Sequence, residues 1–204
     1  MDYKEITKNA YDDVASDYSK RDSEIVPESF DVKNVLDKFI GMFPEGALIL
    51  DIGSGGGRDS RYMHAHGLKV TGIDFSEQMI MLAQKEAPEI KYVHMDFENL
   101  DFPGESFDGV WANASLHHVP KAKLHDVLSQ IYKILKKDGT FFIKIKHGDF
   151  DGIRENEKFG RKIKRQFSYY RPDELAEMLE FAGFSILEKY LTTGDEWLDI
   201  FAKK

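Results

Sequence analysis

The chain has 204 residues and a hydrophobic fraction of 42%, which fits one globular domain with a sizeable core. Its formal net charge of -8 argues against general binding to nucleic-acid phosphates, and the lack of cysteine removes disulfides, thiolate metal sites and cysteine nucleophiles. No apolar run reaches membrane-spanning length and MDYKEITKNAYDDV lacks the apolar core of a secretion signal, so a cytoplasmic protein with no membrane contact is expected.

Residues 1 to about 30 are polar with spaced tyrosines, as in YDDVASDY, and read as a helical preamble. DVKNVLDKFIGMF places Val32, Val35, Leu36, Phe39 and Ile40 at helical spacing, and Gly41 or Pro44 ends that helix. ALILDI then reads as a short buried strand, RDSRYMHAHG as a helix closed by Gly67, and LKVTGIDF as a second strand. SEQMIMLAQKEA is a helix with Ser76 as its N-cap. IKYVHMDF and SFDGVWAN are the third and fourth strands. Pro120 opens a helix whose apolar face carries Leu124, Val127, Leu128, Ile131, Ile134 and Leu135, with Gly139 as its stop and TFFIKIK as the fifth strand. Gly148 to Gln166 reads mainly as a solvated charged loop. RPDELAEMLEFAG is a further helix, and FSILEKYL and WLDIFAKK form an antiparallel pair. Alternating strands and helices predict an α/β fold: an open, doubly wound, mostly parallel sheet with an antiparallel end.

The most informative stretch is LILDIGSGGGRDS, Leu48 to Ser60. In such sheets ligands bind beyond the carboxyl ends of the strands, where the strand order reverses. Glycines at that turn permit positive φ and remove the Cβ atoms that would hold a ligand off the backbone. Dinucleotide sites need G-x-G-x-x-G, but Arg58 stands where the last glycine would be, and no Gly-Lys-Ser/Thr triplet marks a phosphate loop. The run is D-x-G-x-G-x-G, through Asp51, Gly53, Gly55 and Gly57.

Three acids follow three successive strands. Asp51 faces the turn with a negative charge suited to an amine. Asp74, ending the second strand, accepts both hydroxyls of a ribose. Asp96, ending the third, takes an adenine amino group, with Phe97 supplying apolar contact. Amine, ribose and adenine without phosphates describe the ligand.

These residues resemble the class I S-adenosylmethionine-dependent methyltransferases, whose fold is Rossmann-like with a seven-stranded sheet. LILDIGSGGGRDS resembles their first motif, VTGIDFSEQMI the ribose motif, MDFENLDF the adenine motif, FDGVWANASLHHV the fourth-strand motif and LKKDGTFFIKIK the turn into the fifth strand. The match runs from about Ala47 to Lys146 in the expected order, and the closing strands resemble the superfamily's reversed hairpin. The resemblance implies S-adenosylmethionine as cofactor. It adds Ser54, Arg58, Phe75, Ser76, Met79, Ala112 and Asn113 to the cofactor set, with Tyr11 and Tyr18 closing over it and Arg21 pairing with its carboxylate. It also implies a single methyltransferase domain over residues 1–204, with a lid over 1–30, a cofactor core over 47–146 and an acceptor-side insert over 148–170.

For the chemistry, a base is expected among His117, His118 and His147, where strands four and five end and where Lys146 is also a candidate. Cytosine C5 methylation needs a cysteine. The exocyclic-amine DNA enzymes carry an aromatic where this chain has Asn113-Ala114-Ser115-Leu116. Asp149 and Asp151 are the only candidates for a metal, and no metal is expected. The expected acceptor is a small molecule with an oxygen or nitrogen nucleophile, and the protein a monomer or homodimer. Three alternatives stand beside this: a tRNA-modifying enzyme, because the core broadly resembles the wobble-uridine methyltransferases and the insert carries Arg154, Lys158, Arg161, Lys162, Lys164 and Arg165; a non-catalytic nucleotide-binding module; and a nicotinamide dehydrogenase.

Overall fold

The computed structural model describes residues 2–21, 30–192 and 194–204; for residues 19–21, 30 and 31 it describes the backbone only. Helices α1 (Tyr3–Arg21) and α2 (Phe30–Ile40) precede β1 (Leu48–Ile52). The alternation continues through α3 (Arg58–Ala65), β2 (Lys69–Asp74), α4 (Glu77–Glu86), β3 (Lys91–His94) and β4 (Phe107–Asn113). A 3-10 turn, Leu116–His118, leads into α5 (Lys121–Ile134) and β5 (Leu135–Lys146). Strands β6 (Phe150–Lys158) and β7 (Arg161–Tyr169), helix α6 (Pro172–Phe181), β8 (Ser185–Thr192) and β9 (Trp197–Lys203) complete the chain.

The main sheet has the order β3-β2-β1-β4-β5-β9-β8. Strands β1 to β5 pair in parallel, and β9 runs antiparallel to both β5 and β8. The order reverses between β1 and β4, so the turns leaving those two strands diverge and open a crevice.

Both faces of the sheet are covered, which explains the near-continuous apolar runs of β1 and β5. Successive side chains alternate faces. Leu50, Ile52, Phe141 and Ile143 pack toward α5 and α6, while Ile49 and Phe142 pack toward α2, α3 and α4. On the second face Phe39 sits 5.0 Å from Trp111, which stacks on Phe142 at 4.1 Å. Burying such side chains contributes about 1.5–3 kcal/mol each. Among the described residues no helix is long and apolar enough to cross a membrane.

Two local expectations need correction. Helix α5 ends at Ile134 rather than Gly139, because Leu135 already pairs with Phe107 in the sheet. The segment read as a solvated loop is a β-hairpin, with β6 and β7 in register from Phe150↔Tyr169 to Lys158↔Arg161. A two-stranded ribbon needs a partner surface. Helix α1 supplies it by packing on β7, and it packs on α4 as well. Thr7 Oγ1 accepts the Gln166 N–H at 3.0 Å, and Val14 and Ile163 bury together. The hairpin and α1 thus form a roof beside the crevice.

Candidate active site

A cavity of about 870 Å³ opens at the carboxyl ends of β1, β2, β4 and β5, under α1 and the hairpin. That lies near the top of the roughly 300–1,000 Å³ range for small-molecule sites. Its floor at one end is the turn after β1. Gly53 has φ +73°, and an added Cβ would lie 2.3 Å from the Ser115 Cβ, so the turns after β1 and β4 touch only because residue 53 is glycine. Above Gly55 a Cβ would meet nothing within 4 Å, so open space lies over the bare turn.

Asp74 fixes this turn. Its Oδ2 accepts the Gly55 N–H at 2.9 Å and its Oδ1 the Ser76 N–H at 2.8 Å. Burial raises its pKa, and these two donors oppose the rise. Each oxygen keeps a further lone pair for a ligand. Ser76 caps α4 by accepting the Met79 N–H at 3.1 Å. Asp96 lies two residues beyond the end of β3, and Lys4 of α1 holds it at 2.6 Å.

Gly53, Ser54, Gly55, Arg58, Asp74, Phe75, Ser76, Met79, Asp96, Phe97 and Asn113 all face this cavity, together with Tyr11 and Tyr18 of α1. Tyr18 stands edge-on to Phe159 of the hairpin tip at 5.1 Å. Besides Asp51, described below, two residues of the expected set lie behind the surface. Gly57, at φ +82°, leaves room for the Tyr92 ring, and Ala112 is fully buried in β4. The side chain of Arg21 falls outside the described residues.

The acid of the first strand is the main correction. Asp51 does not face the cavity as an anion: it is 2% exposed and accepts the Ser60 hydroxyl at 2.6 Å. Burial first, and then the nearby Asp59, push its pKa up to about 8. The acid at this end of the cavity that sequence reasoning missed is Asp59, on the first turn of α3. It accepts from Arg58 Nε at 2.8 Å, Trp111 Nε1 at 3.0 Å and Asn113 Nδ2 at 2.7 Å. Burial would raise it, but the Arg58 guanidinium and these donors outweigh burial and hold the carboxyl below its usual range.

Asp51 therefore makes the ligand-free protein sensitive to alkali. Its folded pKa of about 8 exceeds the ordinary 3.8 of the unfolded chain, so between those values only the unfolded form has lost the proton. Stability falls as pH rises through that window and levels off above it. Asp51→Asn keeps an acceptor for Ser60 without a charge to bury. It is expected to gain melting temperature over wild type, little at pH 4 and roughly 5 °C at pH 8.5. Thermal denaturation at the two pH values checks this; equal differences at both would refute it.

The three expected histidine candidates separate. His147 lies outside the cavity, directly after the end of β5, with Nδ1 on the Asp195 carbonyl at 2.8 Å. His118 is used at both nitrogens. Its Nδ1–H donates to the Gln166 carbonyl at 2.5 Å, so its Nε2 accepts from Tyr11 OH at 2.7 Å. Burial, together with the Arg165 charge, pushes its pKa down to about 3 despite the Gln166 carbonyl. His117 is 3% exposed, stacks on Phe167 at 5.4 Å and 8°, and has Nδ1 buried without a hydrogen-bond partner. It also faces the cavity. Of the acids weighed for a metal, Asp149 pairs with Arg171, and Asp151 accepts from Gln166 at 2.8 Å and Ser168 at 2.7 Å.

The two ends of the cavity differ. The end at β1, β2 and β3 presents Asp59, Asp74, Asp96 and Glu98, with Arg58 paired to Asp59 and Lys4 to Asp96 and Glu98. The end under the hairpin presents Lys144, Lys146, Arg154, Lys158 and Arg165 beside Glu155 and Glu157, with the rings of Phe167, Tyr169 and Trp197. Ser54 and Ser115 contribute buried hydroxyls without partners near the bare turn. Glycines, a ribose-type carboxylate and unpaired hydroxyls at one end fit S-adenosylmethionine, and the second end leaves room for another molecule.

Comparison with known proteins agrees with this geometry. Residues 49–139 match the family model described as a methyltransferase domain. An uncharacterized methyltransferase of Synechocystis sp. is 28% identical over 160 residues, covering 73% of this chain and 72% of that protein. A malonyl-[acyl-carrier protein] O-methyltransferase of Enterobacter lignolyticus is 33% identical over 94 residues, covering 46% of this chain. The chain spans only 37% of that relative's length. Among solved structures, the Burkholderia thailandensis 1,6-didemethyltoxoflavin-N1-methyltransferase superposes with a TM-score of 0.70 at 24% identity, covering 94% of this chain and 87% of its own. A Methanosarcina mazei S-adenosylmethionine-dependent methyltransferase does so with 0.72 at 20%, covering 83% and 96%. With the seven-stranded sheet and its reversed final strands, the chain shares the fold of these S-adenosylmethionine-dependent methyltransferases, and its residues 49–139 match the methyltransferase-domain model.

Proposed function

We propose that the protein transfers a methyl group from S-adenosylmethionine to an oxygen or nitrogen of a small-molecule acceptor. The observation that carries this is one cavity with two unlike ends: one suits the cofactor, and the other, under the α1–hairpin roof, is lined by Phe167, Tyr169 and Trp197 with the buried cations Lys144 and Arg165. When bound, the cofactor supplies a methyl carbon already activated by the sulfonium it leaves. The protein's part is position, exclusion of water and proton handling.

Asp74 holds the ribose hydroxyls, Asp96 and Phe97 the adenine, and the Gly53–Gly55 turn lies along the amino-acid portion. Asp59 offers the ionised carboxylate for the amine. His117 takes a proton from the acceptor, because it is neutral at pH 7 and its Nδ1 is uncommitted. The roof of α1 and the hairpin favours a molecule that enters the chamber over a folded RNA that would lie across it.

Calorimetric titration of S-adenosylmethionine and of NAD into the full chain tests the reading. Micromolar binding of the sulfonium compound, with none for NAD, is the expected result. Transfer of labelled methyl to a small-molecule library, and not to bulk tRNA, is expected to follow. Tight NAD binding without the sulfonium compound would overturn it.

A further inference from the structure

Arg165 sits in β7, is 5% exposed and faces the cavity. Its Nη1 donates to Tyr11 OH at 3.0 Å and its Nη2 to Asn156 Oδ1 at 2.9 Å, both neutral groups. Its Nε–H is buried without an acceptor. Its hairpin neighbours differ: Arg161 pairs with Asp17 and Lys164 with Glu155. Among the described residues no carboxylate lies within ion-pairing distance of Arg165.

That arrangement is costly without a ligand. A buried charge costs several kcal/mol unless a counter-charge meets it. The other buried cation of this chamber, Lys144, already has one in Asp199 at 2.9 Å. Lys146 has Glu196 at 3.2 Å, in a pair open to solvent on the glutamate side. Among the described residues, Arg165 is therefore the buried cation of this chamber that no carboxylate meets. A guanidinium also presents a planar fork that matches a carboxylate in two-point geometry.

The surroundings are flat and aromatic. The Arg165 guanidinium lies 4.9 Å from the Phe167 ring centre, and Phe167 stacks on His117. Trp197 stands edge-on to His117 at 5.5 Å, with Lys146 4.1 Å from the Trp197 ring centre. Ring faces of this kind favour a planar partner by stacking.

We propose that the methyl acceptor is a planar anionic molecule, its ring against Phe167, His117 and Trp197 and its carboxylate or comparable anionic group paired with Arg165. This rests on the methyltransferase reading above. It narrows the acceptor to aromatic or heteroaromatic acids and excludes neutral lipids and amine-headed acceptors.

The test uses the full chain saturated with S-adenosylhomocysteine. Three acids, 4-hydroxybenzoate, 1-hydroxy-2-naphthoate and indole-3-carboxylate, are titrated beside their carboxamides, which keep ring and shape but lack the charge. At least one acid is expected to bind tenfold or more tightly than its amide. In Arg165→Gln acid and amide converge, while S-adenosylhomocysteine affinity stays within threefold; Arg165→Lys recovers part of the difference. The wild-type acid–amide comparison decides the matter even if a variant folds poorly. Equal binding of acids and amides, or no binding of any acid beside the bound cofactor product, overturns the inference. A parallel loss of S-adenosylhomocysteine affinity in Arg165→Gln also overturns it, by assigning the guanidinium to the cofactor's own carboxylate. If S-adenosylhomocysteine does not bind the wild type, it is the methyltransferase reading that has failed.

Discussion

Asp74→Ala is expected to weaken S-adenosylhomocysteine binding by about 100-fold or more. The carboxylate has two tasks. It holds the Gly55 and Ser76 amides, and so the shape of the bare turn, and it keeps outward lone pairs for a diol. Hydrogen bonds to a charged group contribute about 1.5–3 kcal/mol each. Every 1.4 kcal/mol is roughly tenfold in affinity, so one ligand bond lost from a loosened turn already reaches 100-fold. Asp74→Asn keeps a carbonyl for one of the two amides and is expected to fall between. Calorimetry on both variants reads this directly. A loss under fivefold in a folded Asp74→Ala protein would show that no ribose lies there.

His117→Gln is expected to lower kcat about 100-fold, within the usual range for removing a general base, and to leave S-adenosylhomocysteine affinity within twofold. The contrast with His118 is structural. His118 has both nitrogens committed and ties α1 to the hairpin, whereas His117 keeps an unpartnered nitrogen against an aromatic wall. Burial first, then the charges of His118, Arg165 and Lys146, lower the pKa of His117 well below 6.5. The base form therefore prevails at neutral pH, and the acid limb of the wild-type rate profile is expected below pH 6.5. That limb should vanish in the glutamine variant. Single-turnover rates against pH check both statements, and a kcat within twofold of wild type would remove His117 from proton transfer.

The sheet was legible in the sequence because burial on both faces writes continuous apolar runs, as in ALILDI and TFFIKIK, and because helices of ordinary length separate them. The turn after β1 was legible because only glycine tolerates its backbone and its contact with Ser115. The hairpin was not. Along β7 one face carries Ile163, Arg165, Phe167 and Tyr169 and the other buries Gln166 and Ser168, so charged and polar residues stand at buried positions on both faces. A pattern read by hydrophobicity breaks there. Asp51 and Asp59 exchanged roles for a related reason. Sequence position puts Asp51 at the strand end, but only packing reveals that Ser60 and the core enclose it. The helix that follows turns Asp59 toward Trp111 and Asn113 instead.

Lys4 grips Asp96 at 2.6 Å, and Tyr3 donates to Glu98 nearby. On the proposed reading the same carboxylate is sought by the adenine, so the first turn of α1 and the cofactor are rivals for one partner. Each must weaken the other's hold. The rivalry is mild, because the ion pair is partly open to water, and such pairs are worth about 0–1 kcal/mol. Displacing it costs at most about a fivefold factor in affinity. The helix then behaves as a clasp rather than a lock: it holds the carboxylate without barring the nucleoside from it.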